Sequence, residues 1–414
     1  MNGFFLGRYY LRTVLFLMVF LIENSFASEI EITRVFLDCN FCDENFIKNE
    51  IKFVDWVRDR EDANVHVLVT RQRLGNGGRV FQIAFLDKNS INNDTLKVEV
   101  APNISTHDQR SALLHMIKVG LVSFVSKTPQ VFNLSIENVH SGKPIKVIRQ
   151  EDDPWDSWVF EIDGRFTFNR EEQQGRSSAD IGLSAKRVTE DWRIRNHLYG
   201  DFEREEFQSN EKDLTSDSHT KGAWGMVVRS LGSHWSAGIS AGHRSSTYDN
   251  IRRQVHLQPA VEFSYFDYAE SDRRELLFIY SIGPRYTSYN DTTIYDRIND
   301  EHLRQRFEIR LDNVQPWGSV EVDIESSILI PQMEYYRLEM RGEISLRVFR
   351  GLSFDINASF ERIKDQLNLP RGNVSTEDLL LRRRELQTNY MGRISVGLSY
   401  MFGSIYNNVV NTRL

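Results

Sequence analysis

Residues Gly392 to Phe402 read G-R-I-S-V-G-L-S-Y-M-F. Ile394, Val396, Leu398, Tyr400 and Phe402 share one parity, and Arg393, Ser395, Gly397 and Ser399 share the other. Successive side chains of a strand point to opposite faces, so this segment folds as a strand with one apolar face and one polar or very small face. A water-soluble sheet has such strands too. The decisive question is how often the pattern recurs and what precedes it.

It recurs about a dozen times. Strand-like segments begin near Trp158, Ser178, Trp192, Ala223, Trp235, Val255, Glu275, Arg306, Ser319, Tyr336, Leu352 and Tyr390. The expected fold is mainly β: an antiparallel transmembrane β-barrel of about 12 strands over residues 155–402, of the kind found in Gram-negative outer membranes. The chain has 414 residues, of which 26% are charged, and mean hydropathy of −0.44. Only every second residue of a barrel strand meets lipid, so this polarity is compatible with membrane insertion. The net charge of −7 and pI near 5.9 make nucleic acid an unsuitable partner for the chain as a whole.

The first 27 residues read as a signal peptide. Arg8 and Arg12 supply a positive flank, Leu11 to Ile22 an apolar core, and Ser25-Phe26-Ala27 a cleavage site. Residues 28–146 read as a periplasmic α/β domain of order β-α-β-β-β-α, with helices over Asp43 to Arg60 and His107 to Val125. Gly75 to Gly78 is a hairpin turn by composition. This order, with the phrase DANVHVLVT ahead of a hairpin, resembles the N-terminal domain of TolB and related periplasmic modules. The resemblance implies an interaction surface for an unknown periplasmic protein and carries no catalytic motif.

Cys39 and Cys42 are the only cysteines. In an exported protein such a close pair suits a structural disulfide. A C-x-x-C at a strand end opening a helix also suits a redox pair, and His66 would be the obvious extra ligand of a metal site. Gln150 to Pro154 breaks the chain, giving a linker over 147–154.

Connection lengths set the topology. Short turns fall at Thr189 to Asp191, Leu231 to Ser233, Tyr268 to Asp272, Gln315 to Gly318 and Arg350-Gly351; longer loops fall at Gln208 to Thr220, Asn290 to His302 and Lys364 to Thr388. Barrels keep short turns in the periplasm, which places the N-terminal domain, both barrel ends and a 403–414 tail there. Trp158, Trp192, Trp235 and Trp317 lie beside the short turns and read as the periplasmic aromatic girdle. Tyr248, Tyr286, Tyr289, Tyr335 and Tyr390 would mark the outer one.

Parity assigns the lumen. Arg306, Glu308, Arg310, Glu321, Asp323, Glu325, Arg337, Glu339, Arg341 and Glu343 face inward as a charge network, with Asp312 and Arg347 on the same parity. Opposite signs on adjacent strands are expected to pair, which predicts a plugged barrel or small pore. Gly397, Tyr400 and Phe402 resemble the assembly signal read by the barrel-insertion machinery, although a dozen residues follow them. Arg382, Arg383 and Arg384 in the longest outer loop are candidate contacts to lipopolysaccharide phosphates.

No catalytic constellation is legible. His197, His234, His243 and His256 sit in no serine motif, and Asp249 beside Tyr248 and His243 is the nearest approach to a protease-like mouth. No cofactor or metal motif appears. The expected function is therefore non-enzymatic: envelope structure, assembly or limited small-solute passage. The alternatives are a barrel enzyme of lipase or protease type, or a thiol-redox module on a barrel anchor.

Overall fold

A computed structural model describes residues 32–74, 78–88, 93–101, 104–135, 154–208, 213–271, 273–372 and 387–410. The leader, most of the linker, the centre of the 75–78 turn and the arginines at 382–384 lie outside these residues.

The N-terminal unit is a five-stranded sheet with two helices. Its strands are β1 (Arg34–Asp38), β2 (Asp55–Trp56), β3 (Val65–Arg73), β4 (Arg79–Asp87) and β5 (Asp94–Val100), in the order β2-β1-β3-β4-β5. β1 runs parallel to β2 and β3, while β3, β4 and β5 form an antiparallel meander. Helix α1 (Glu44–Glu50) makes the crossover and α2 (Thr106–Val125) covers the sheet. Val35, Leu37, Val67, Phe81, Ile83 and Phe85 from the strands meet Leu113, Ile117 and Leu121 of α2 in one core. Gly120 permits the closest approach, because a Cβ there would stand 2.0 Å from Cζ of Phe85.

The helix expected over Asp43 to Arg60 is much shorter. Asp43 caps it by accepting from the Phe46 amide at 3.1 Å, but Ile51 is already extended. The apolar set Ile51, Val54, Trp56 and Val57 satisfies helical spacing, yet Val54 and Trp56 also alternate, and burial on the β1 edge wins.

The second unit is a single twelve-stranded antiparallel sheet: β6 (Trp158–Arg170), β7 (Gln174–Val188), β8 (Trp192–Phe207), β9 (Leu214–Ser230), β10 (Trp235–Ser246), β11 (Ile251–Ser264), β12 (Arg274–Tyr289), β13 (Asn299–Gln315), β14 (Gly318–Ile330), β15 (Tyr336–Phe349), β16 (Leu352–Ile363) and β17 (Tyr390–Tyr400). Every strand pairs with its sequence neighbours. Ten begin at or within four residues of their expected starts, and Trp158, Trp192, Trp235, Arg274, Gly318 and Leu352 mark the strands rising from the short-turn end. At the other end strands run further than expected, so the Gln208 to Thr220 and Asn290 to His302 loops shrink. Cross-strand ion pairs hold these extensions, among them Arg176–Glu203 at 2.5 Å and Arg204–Asp217 at 2.7 Å.

The sheet is open. β17 was expected to close on β6, but the two are its unpaired edges. Its stagger is nevertheless cumulative. Followed across the ladders, the level of Trp158 passes Ile194, Ile239, Gln305 and Tyr336 and arrives at Thr388, twelve residues before Tyr400.

Candidate functional site

The two faces of the large sheet differ chemically along most strands, β9 being an exception with Trp224, Met226 and Val228 on the otherwise polar face. One face carries Trp158, Phe160, Ile162, Phe166 and Phe168 on β6, Trp192, Ile194, Leu198 and Phe202 on β8, and Tyr390, Ile394, Val396, Leu398 and Tyr400 on β17. Each set spans ten residue steps, roughly 33 Å along the strand. On β6 the next outward position is Arg170, and on β8 the next two are Arg204 and Glu206; Arg170 pairs with Glu206 at 2.9 Å where the apolar band ends. Trp192, Trp235 and Trp317 are part-exposed at the short-turn end, and Trp158 stacks on Phe160 there. Phe402 lies past the strand, stacked on Tyr400.

The other face holds the charges. In register, Arg310 faces Asp323, Asp323 faces Arg341, Glu308 faces Glu325, and Glu321 faces Glu343. Simple pairing of opposite signs across strands is therefore only part of the answer. Arg310 bonds Asp323 at 3.1 Å across the ladder and Glu308 at 2.6 Å along its own strand. Arg306 reaches Glu308 at 2.9 Å and Glu325 at 3.6 Å. The facing Glu308 and Glu325 are satisfied by arginines two positions away on the same face, a distance long arginines span. Arg337 holds Glu361 at 2.6 Å and Asp365 at 2.9 Å, and Arg341 holds Glu339 at 2.9 Å. Glu321, Asp323, Arg341 and Glu343 line a cavity of about 660 Å³, with Arg393 and Ser395 of β17 on its far side. Glu321 and Glu343 make no ion pair among the described residues.

Both ends of this face are covered. At the long-loop end the segment after β16 folds inward: Leu367 and Leu369 are buried with Ile251, Leu329 and Ile363. The amide of Ile294 donates to the Leu369 carbonyl at 2.9 Å, and Asn250 Nδ2 donates to the carbonyls of Asp291 and Asn368 at 3.0 and 2.9 Å. Tyr289 belongs to this interior, not to an outer girdle; its buried hydroxyl donates to Asp300 at 2.8 Å.

At the short-turn end sits the N-terminal sheet. Arg347 leaves the charge network of the polar face and bonds Asp38 at 2.6 and 2.8 Å. Asp38 also contacts His66 Nε2 at 3.1 Å. Burial raises the Asp38 carboxyl, but the His66 bond and the Arg347 charge outweigh it and hold it below the ordinary aspartate range. The Gly351 amide donates to Asp59 at 2.5 Å, and Arg350 pairs with Asp62 at 2.9 Å. The C-terminal tail turns back along the N-terminal sheet, where Asn407 N donates to the Trp56 carbonyl at 2.7 Å and Arg58 N to that of Ile405 at 2.9 Å. Between tail, turn and domain lies a second cavity of about 480 Å³. Cys39 and Cys42 are joined as a disulfide at the end of β1.

The histidines are dispersed. His197 stacks on Tyr199 within the polar face, His234 bonds the Ser264 carbonyl at a turn at 2.9 Å, and His243 lies on the apolar face. Asp249 is held by Arg244. Among the described residues no three His, Cys, Asp or Glu side chains are arranged to hold a metal. No protein-family model and no curated protein matches the chain.

Proposed function

We propose that the chain is a non-enzymatic outer-membrane β-barrel protein, plugged at both ends, with a periplasmic domain that serves envelope structure or assembly and restricts passage to small solutes. The observation that carries this reading is a twelve-stranded antiparallel sheet with an apolar and a charged face whose register shifts steadily from strand to strand; closing its edges at Trp158 and Tyr400 would make that shift twelve residues. With a rise of about 3.3 Å and a strand spacing of about 4.8 Å, pairing Trp158 with Tyr400 corresponds to a tilt of about 35°, within the range of membrane barrels. At that tilt the ten-step apolar bands reach a height of about 27 Å, close to the roughly 25 Å of a barrel's lipid-facing belt. A charged inner face fits a lumen, where water and ion pairs replace lipid.

In this orientation the short-turn end, the N-terminal domain and the tail face the periplasm. The lipid, the lipopolysaccharide and the insertion machinery are the partners that the apolar band and the Gly397, Tyr400 and Phe402 ending suit. Cell fractionation with heat-modifiable gel mobility tests the location: the full chain should partition with the outer membrane and migrate faster unheated. Recovery as a freely soluble periplasmic protein would overturn it. Planar-bilayer recording tests the plug, with closed or small-conductance behaviour expected and steady wide channels contradicting it.

A further inference from the structure

One part of the polar face differs from the rest. On β13 and β15 the inward arginines reach carboxylates; on β12, nearer the long-loop end, Arg285 has none among the described residues. Arg285 of β12 stands in register with His302 of β13 on one side and His256 of β11 on the other. Arg304 is the next residue on the same face after His302.

Arg285 makes no hydrogen bond or ion pair among the described residues, and its Nε is buried without a partner. Arg304 reaches Glu325 at 3.4 Å and Ser327 at 3.3 Å through one terminal nitrogen, and Arg306 holds Glu308 at 2.9 Å, but the buried Nε of each is unpartnered. Both ring nitrogens of His302, a residue only 8% exposed, are also without a hydrogen bond. The acids nearby are already engaged. Asp365, whose charge reaches Arg285, is bonded by Arg337 at 2.9 Å. Asp300 stands 3.7 Å from His302 Nε2 but is held by Arg297 at 2.6 Å and by the Tyr289 hydroxyl at 2.8 Å. His256 makes no ion pair among the described residues. Its ring lies across Gly242, where a Cβ would come within 2.4 Å of Cε1.

Burying a donor without an acceptor is costly, and a buried guanidinium more so. Several such donors at neighbouring positions on one face make a site that an acceptor-rich anion would satisfy. Guanidinium groups bind planar or tetrahedral oxyanions through paired N–H donors. We propose that Arg285, Arg304, His256 and His302 form a binding site for a small oxyanion, phosphate or sulfate, inside the sheet's polar face. The site faces away from the apolar band, which favours a soluble oxyanion over a lipid headgroup. It depends on the register of β11 to β13 and not on the membrane reading.

The test is calorimetric titration of inorganic phosphate into the purified full-length chain in dodecyl maltoside at low ionic strength, beside phosphatidic acid in mixed micelles. Saturable phosphate binding is expected, weakened at least tenfold by Arg285→Gln and unchanged by Arg341→Gln, which alters a lumen arginine outside the cluster. Where Arg285→Gln fails to fold, His302→Gln is the second variant, with a several-fold loss expected. The proposal is overturned if the unaltered chain shows no saturable phosphate binding, if these variants bind as Arg341→Gln does, or if only phosphatidic acid binds.

Discussion

Arg347 of the large sheet grips Asp38 of the N-terminal sheet with both terminal nitrogens, at 2.6 and 2.8 Å. The two residues are 309 apart in sequence, and together with Arg350–Asp62 they fasten the domain to the turn between β15 and β16. Asp38 is mostly buried, so removing its partner strands a charge. Arg347→Ala should cost about 2 kcal/mol of docking, from the loss of a charged hydrogen-bonded contact. Limited proteolysis should cut the domain free faster in the variant, while the heat-modifiable mobility of the large sheet stays unchanged.

The same contact predicts a pH response. Asp38 titrates below the ordinary value of about 3.9 in the folded protein. A lowered folded value means the stabilisation is complete above that ordinary value and fades as pH falls through the folded one. Domain release followed by proteolysis with an acid-active protease should therefore rise below about pH 3.9. Asp38→Asn should remove this acid-dependent step and release the domain more readily at neutral pH.

The two faces of β17 give a paired test of membrane insertion. Val396 and Ser395 are adjacent but point to opposite faces. Val396→Arg would place a charge mid-strand against lipid at about 2–4 kcal/mol, whereas Ser395→Arg enters the charged face beside Asn357. The folded fraction in lipid vesicles, read by unheated gel mobility, should fall for Val396→Arg and hold for Ser395→Arg. Equal behaviour would contradict a lipid-facing Val396.

Closure of the seam is testable through register. If Trp158 meets Tyr400, then Ile162 meets Val396. Ile162→Cys with Val396→Cys should form a disulfide under oxidising conditions that shifts gel mobility on reduction, whereas Ile162→Cys with Ile394→Cys, offset by two residues, should not. Cys39 and Cys42 are already joined to each other and leave the readout clear.

Strand number and facing were legible because β6, β8 and β17 alternate apolar and polar residues over ten steps, the period-two contrast of a two-faced sheet. Strand tops were not, because from Arg204 and Asp217 onward both faces are polar and period two carries no contrast. The junction was hidden for a different reason. Arg347 continues the lumen parity of β15, and Asp38 beside Cys39 reads as a turn residue, so nothing local marks a pairing 309 residues apart. Arg285 and His302 showed as polar positions of the right parity, but their lack of partners emerges only when every nearby carboxylate is accounted for.

The inward fold of the segment after β16 depends on Asn250. This residue holds a left-handed conformation at φ 56° and donates from Nδ2 to two carbonyls, on Asp291 and Asn368. Asn tolerates that backbone region better than other non-glycine residues. Asn250→Ala loses both bonds, together with the one its Oδ1 accepts from the Asp291 amide at 2.8 Å, and keeps the strained backbone, at about 2–3 kcal/mol in all. Asn250→Gly relieves the backbone but still loses the bonds, so it should restore part of the stability without restoring the plug. In planar bilayers both variants should open more often than the unaltered protein, with Asn250→Ala unfolding at lower denaturant. If neither changes conductance, the folded-in segment around Leu367 does not obstruct the lumen.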